Sequence, residues 1–229
     1  MMMMTTDTAA ALAMGLYVVG IACIFGLRTW LHRRRTGQSG YRGVSGAPGS
    51  AEWWGGVLFI AALVLAAAAP ALAITGLVPV PAGAGGVLGW MGMILAIGGF
   101  LAVLVAQSGM GSSWRIGVDR TEVTGLVTTG MFSVVRNPIF TAMATALLGL
   151  TLLVPTAVSA AALVCLIVAI EQQVRVVEEP YLARTHGVEY ADYTRRVGRF
   201  LPGVGRSRPR GSNRTVHTTT NPHPSKDTL

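Results

Sequence analysis

The chain has 229 residues, of which 52% are hydrophobic and only 12% charged, too little polar surface to wrap a soluble globule of this size. Its formal charge of +8 comes from arginines that lie beside apolar runs without interleaved aromatics, so no nucleic-acid partner is expected. The two cysteines, Cys23 and Cys165, sit inside apolar runs, where a thiol behaves as a small hydrophobe, and the sequence calls for neither a disulfide nor a metal site.

The first apolar run extends from Ala9 to Leu31. Asp7 is the one charge before it, and the missing basic segment marks an uncleaved helix rather than a signal peptide. The second run, Trp53 to Thr75, places Trp53 and Trp54 where indole rings favour a membrane interface, and Pro70 is expected to kink its outer end. The third, Gly86 to Ala106, is rich in glycine, which suits close packing in lipid; Gly85 to Gly99 reads as a packing face rather than a nucleotide loop. Ile139 to Val154 and Thr156 to Ile170 are separated by Pro155 alone, which predicts a tight helical hairpin, with a re-entrant hairpin as the alternative. The expected fold is all-α, a polytopic membrane protein of about five transmembrane helices followed by short cytoplasmic helices.

Cytoplasmic flanks of membrane helices are enriched in lysine and arginine. Five basic residues fall from Arg28 to Arg42, three from Arg115 to Arg136 and ten from Arg175 to Lys226, which accounts for all 18. Five crossings from an outside N-terminus put every one of them on the cytoplasmic side, and an even number would strand a cluster outside. A bacterial plasma membrane is the expected location, with lipid headgroups as partners of this basic face. From Gly203 onward the chain turns to Arg, Ser, Pro and Thr without apolar periodicity, and a disordered basic tail is expected there.

Two polar segments, Ser112 to Phe140 and Glu171 to Pro202, exceed what an anchor needs. In the first, Pro138 near the start of the fourth run places Arg136 and Asn137 at a helix N-terminus, where free N–H groups and the dipole favour an anion. In the second, Glu171, Arg175, Glu178 and Leu182 follow the rhythm of one helical face. Ionisable groups at the membrane end of a helix mark a site, and an interfacial salt-bridge ladder is the equally open alternative. Pro180 is expected to bend the helix near Glu179, and Gly187 to separate two short helices.

The stretch Leu126-Val-Thr-Thr-Gly130-Met-Phe132-Ser-Val-Val-Arg136-Asn137-Pro138-Ile-Phe140, followed by Glu178-Glu179, Leu182, Gly187, Glu189-Tyr190, Tyr193, Val197 and Leu201-Pro202, resembles the isoprenylcysteine carboxyl methyltransferase family and its phospholipid methyltransferase relatives. The resemblance covers Ser112 to Pro202. It implies an S-adenosylmethionine-dependent membrane methyltransferase with its cofactor at the cytoplasmic face. By motif position the cofactor contacts fall on Thr124, Gly125, Leu126, Val127, Phe132, Arg136, Asn137, Pro138, Ile139, Phe140 and Glu178, and Arg175 lies near a family arginine that holds the substrate. The family usually has Tyr at the places of Phe132 and Phe140 and His at that of Asn137, so a hydroxyl and a titratable ring are missing here. The implied organisation is a three-helix membrane region over 1–111, a methyltransferase core over 112–202 and the tail over 203–229.

Methyl transfer from a sulfonium requires alignment and exclusion of water more than a catalytic triad. A carboxylate acceptor needs no base and would be held by Arg175; an amine acceptor must lose a proton, which Glu171 or Glu178 could take. The acceptor is expected to be a lipophilic small molecule or lipid admitted from the bilayer. Carboxyl O-methylation of an isoprenoid or prenylcysteine-like substrate is the favoured form and phospholipid or amine N-methylation the alternative. A non-catalytic relative and a sterol-type reductase using NADPH are the rival classes, the latter needing a phosphate pocket for which Arg136 alone is thin support.

Overall fold

Capping side chains set where the helices begin. Thr5 accepts a hydrogen bond from the Thr8 amide (3.2 Å) and Ser50 one from the Trp53 amide (3.2 Å), each satisfying a donor that a helix start leaves open. In the computed structural model, which describes residues 4–37, 46–81, 84–110 and 125–207, these caps open α1 (Thr6–Ile21) and α3 (Ala51–Ile74). A π-helical segment, Ala22–Leu27, joins α1 to α2 (Arg28–Thr36), making one rod that ends at Gly37 with φ 76°. Next come α4 (Val87–Gly109), a 3-10 turn (Gly130–Ser133), α5 (Pro138–Leu153) and α6 (Ala157–Gln172). A second π-helical segment, Gln173–Glu178, leads into α7 (Glu179–Arg196). There is no strand among the described residues, and one isolated parallel bridge pairs Val135 with Gly198.

The fold is all-helical, as the composition implies. Four helices, Thr6–Leu31, Ala51–Ile74, Val87–Gly109 and Ala157–Arg196, are long and apolar enough to cross a membrane, and Pro138–Leu153 is apolar but shorter. At 1.5 Å per residue the 16 residues of α5 span about 24 Å, against roughly 30 Å of hydrocarbon. The Ala157–Arg196 helix has the opposite mismatch: its apolar part is α6, and the charged half beyond Gln172 extends past it. α3 continues through Pro70 to Ile74.

The glycines of the third apolar run do pack. A side-chain carbon on Gly99 would lie 2.5 Å from the Ala146 backbone nitrogen, and one on Gly92 2.6 Å from the Gly149 carbonyl, so α4 and α5 approach backbone to backbone. α3 packs chiefly on α6, and α1 leans on α3, where the Tyr17 hydroxyl donates to the Leu63 carbonyl at 2.7 Å. Ala9, Ala13, Ala66, Leu150, Leu153 and Leu166 share the core between these pairs.

The hairpin turn has a capping box: Thr156 accepts from the Ser159 amide (3.1 Å), and Ser159 accepts from the Thr156 amide (3.0 Å). At the opposite end of the bundle the last turn of α4 meets the rod, where the Arg28 guanidinium donates to the Gln107 carbonyl (2.8 Å) and the Gln107 amide to the Ile24 carbonyl (3.4 Å). Arg136 and Arg175 flank the hairpin at this same end, which we term the basic end.

Candidate functional site

At the basic end the helix leaving α6 does not keep the α-helical phase. Pro180 has no N–H to donate to the carbonyl one turn upstream, and in that stretch the helix widens into the π segment Gln173–Glu178. The single face expected for Glu171, Arg175, Glu178 and Leu182 is therefore split. Arg175 is exposed and pairs with Glu171 across the outer surface, their side chains 57% and 38% exposed. Glu178 is half-buried, and its carboxylate accepts from the Gln173 side chain at 3.4 Å. Leu182 packs elsewhere, against Tyr190, Tyr193 and Val197. Arg175 and Glu178 thus do not share one helical face, because the π turn that holds them has more than 3.6 residues.

Glu178 lies beyond the apolar stretch of α6, and packing over its carboxyl pushes it up to about 7; the Gln173 bond opposes this, and neighbouring Glu179 adds to it. Beside it, α7 runs to Gly187, whose φ of 48° breaks it into the two short helices that the glycine predicts. The second short helix carries Tyr190 and Tyr193, both pushed up to about 12, chiefly by burial. The Tyr193 hydroxyl donates to the Phe132 carbonyl (2.6 Å), and Leu126 packs against the cluster of Tyr190, Tyr193 and Val197. This holds the loop that carries Gly125, Leu126, Val127 and Phe132 against α7. Thr124 lies outside the described residues.

Arg136, Asn137, Pro138, Ile139 and Phe140 form the start of α5, with Pro138 in the first turn as expected. The two residues before the helix, Arg136 and Asn137, are engaged by the chain itself. The Arg136 and Asn137 amides donate to the Gly198 (2.8 Å) and Arg199 (3.1 Å) carbonyls. The Asn137 side-chain amide also reaches the Arg199 carbonyl (3.1 Å), and the Thr141 hydroxyl the Phe200 carbonyl (2.9 Å). The Arg136 guanidinium donates to the Gly205 carbonyl (2.8 Å) and lies 3.3 Å from Glu179. Gly203 to Ser207, expected to begin a disordered tail, is a docked turn: Arg199 donates to Val204 (2.8 Å) and Ser207 to Thr194 (3.0 Å) through their amides. Residues 208–229 lie outside the described residues.

Residues 87–189 match the family model described as phospholipid methyltransferase. This segment belongs to the phospholipid methyltransferase family. Comparison with curated proteins and with solved structures found no match. The family match starts before the Ser112 of the sequence resemblance, taking in α4, which is consistent with the close α4–α5 packing. The four long apolar helices and this match together point to an integral membrane protein with a methyltransferase segment, whose family points to S-adenosylmethionine as methyl donor and to a lipid or lipophilic acceptor. No group of three or more metal-ligating side chains occurs among the described residues.

Three residues that sequence reasoning left out of the site belong to its surroundings. Gln173 bonds Glu178, while Glu179 takes both Arg136 and Arg199. The Glu179 carboxylate holds the Arg199 guanidinium above its ordinary value. The double acid Glu178-Glu179 was visible, but nothing in the sequence separates the carboxylate bonded by Gln173 from the one neutralised by arginines.

Proposed function

We propose that the protein transfers the methyl group of S-adenosylmethionine to a lipid acceptor at the cytoplasmic face, and that Glu178 is its principal polar contact with the cofactor. The observation that carries this reading is the family match across the π segment that ends at the half-buried Glu178. The residues present suit the cofactor: Glu178 is bonded by Gln173, and a carboxylate has further acceptor positions for ribose hydroxyls or an ammonium. S-adenosylmethionine supplies, when bound, an electrophilic methyl on a cationic sulfur. The chain's own part is to hold and orient. Glu178 anchors, while Leu126, Val127 and Phe132, fastened to α7, exclude water from the transfer.

We take the acceptor to be the amine of a phospholipid headgroup, since the exposed Arg175 is already neutralised by Glu171 and offers an anion little. The exposure of Arg175 favours the second reading, a carboxylate of an isoprenoid or prenylcysteine-like lipid. Turnover of Arg175→Gln on a lipid extract that supports activity separates the two. An amine acceptor predicts turnover unchanged or raised, and a carboxylate acceptor predicts a fall of about tenfold or more with cofactor affinity intact.

A further inference from the structure

Glu179 joins three segments that are far apart in sequence. Its carboxylate takes Arg199 in two bonds, Nε to Oε1 at 2.7 Å and Nη2 to Oε2 at 2.8 Å, and Arg136 Nη2 lies 3.3 Å from Oε1. The Arg136 side chain is 4% exposed and also donates to the Gly205 carbonyl. Together with the bonds from Arg136, Asn137 and Thr141 to the carbonyls of 198–200, this fastens a strap, residues 198–205, over the first turn of α5. Phe200 of the strap packs on the main core. Arg199 lies beyond the family match, which ends at residue 189.

We infer that Glu179 is a positioning residue, not a cofactor contact: by clamping Arg199 and Arg136 it ties the strap and the start of α5 to the residue that follows Glu178, and so fixes where the Glu178 carboxylate stands. A carboxylate shared by two guanidiniums, one almost fully buried, is committed to them, since its removal leaves a buried charge uncompensated. It is covalently next to Glu178, so any shift of the clamp is passed to that carboxylate through one peptide unit. The inference rests on the reading of Glu178 as cofactor ligand.

The test is a double-mutant cycle on Glu179→Gln and Arg199→Gln in the full-length detergent-solubilised protein. It reads S-adenosylhomocysteine affinity by calorimetry, melting temperature, and tryptic cleavage at Arg206, the residue that follows the strap. Positioning through the clamp predicts that each substitution weakens binding by about fivefold or more, that the double variant is no worse than either single one, and that cleavage at Arg206 rises in parallel. Arg199→Lys, which keeps the charge but not the paired bonds, should recover part of the affinity, and it carries the test if Glu179→Gln does not fold. Loss of affinity in Glu179→Gln with Arg199→Gln at the wild-type value would show that Glu179 touches the cofactor itself and overturn the inference. A freed strap with affinity unchanged would overturn it too, leaving the clamp a structural feature only. If instead Glu178→Gln binds as tightly as the wild type, the reading of Glu178 fails first and the inference falls with it.

Discussion

Glu178 and Glu179 are adjacent carboxylates with opposite surroundings. Glu179 is neutralised by two arginines, whereas Glu178 has an amide for a partner and a carboxyl raised from its ordinary 4.5 to about 7. Between those two values the folded protein holds a proton that the unfolded chain has released, so this residue makes stability fall as pH rises from 4.5 towards 7. The Glu178→Gln variant lacks that term. Its melting temperature relative to wild type should therefore be higher at pH 8 than at pH 5, and a difference that does not change with pH would show that Glu178 is not desolvated. The motif that contains these residues was legible in the sequence. The division of labour between them was not, because the deciding partner, Arg199, is 20 positions away and reaches Glu179 only once the strap has docked.

The start of α5 was legible because its cause is local, Pro138 standing in the first turn, whereas the caps Ser50 and Thr156 emerge only from the structure. The π segments were not legible, because periodicity is read by assuming the α-helical repeat that they break. That is why Arg175 and Glu178 were placed on one face. The glycine face of α4 was legible because small residues at helical spacing have few other uses in lipid, and its partner supplies a sharp prediction. A side chain on Gly149 would meet the Gly92 carbonyl at 2.6 Å and the Ala96 backbone, whereas one on Gly98 has nothing within 4 Å. Gly149→Val should cost about 1–3 kcal/mol or more through overpacking, seen as a lowered melting temperature in detergent, with Gly98→Val much milder. Equal effects would mean that α4 and α5 are not packed backbone to backbone.

At the scale of the molecule, the bundle gathers Arg28, Arg136, Arg175 and Arg199 at one end and the uncharged hairpin turn at the other, the asymmetry that the basic residues suggested. We propose five crossings with this basic end in the cytoplasm and the N-terminus outside. A membrane-impermeant thiol reagent should label Leu77→Cys, in the exposed loop after α3, from outside, and Val204→Cys from inside after permeabilisation; labelling of both from one side would end that topology. The match over 87–189 gives that segment its likeness to phospholipid methyltransferases, and our proposal that Glu178 holds S-adenosylmethionine is the centre of the functional reading. The most direct measurement is a calorimetric titration of the detergent-solubilised protein with S-adenosylhomocysteine, set beside NADPH and repeated for Glu178→Gln and for the exposed control Glu189→Gln. The account predicts binding of S-adenosylhomocysteine but not NADPH, a loss of about tenfold or more in Glu178→Gln, as expected for one charge-assisted bond, and little change in Glu189→Gln. Binding of NADPH in place of S-adenosylhomocysteine, or equal effects of the two substitutions, would contradict it.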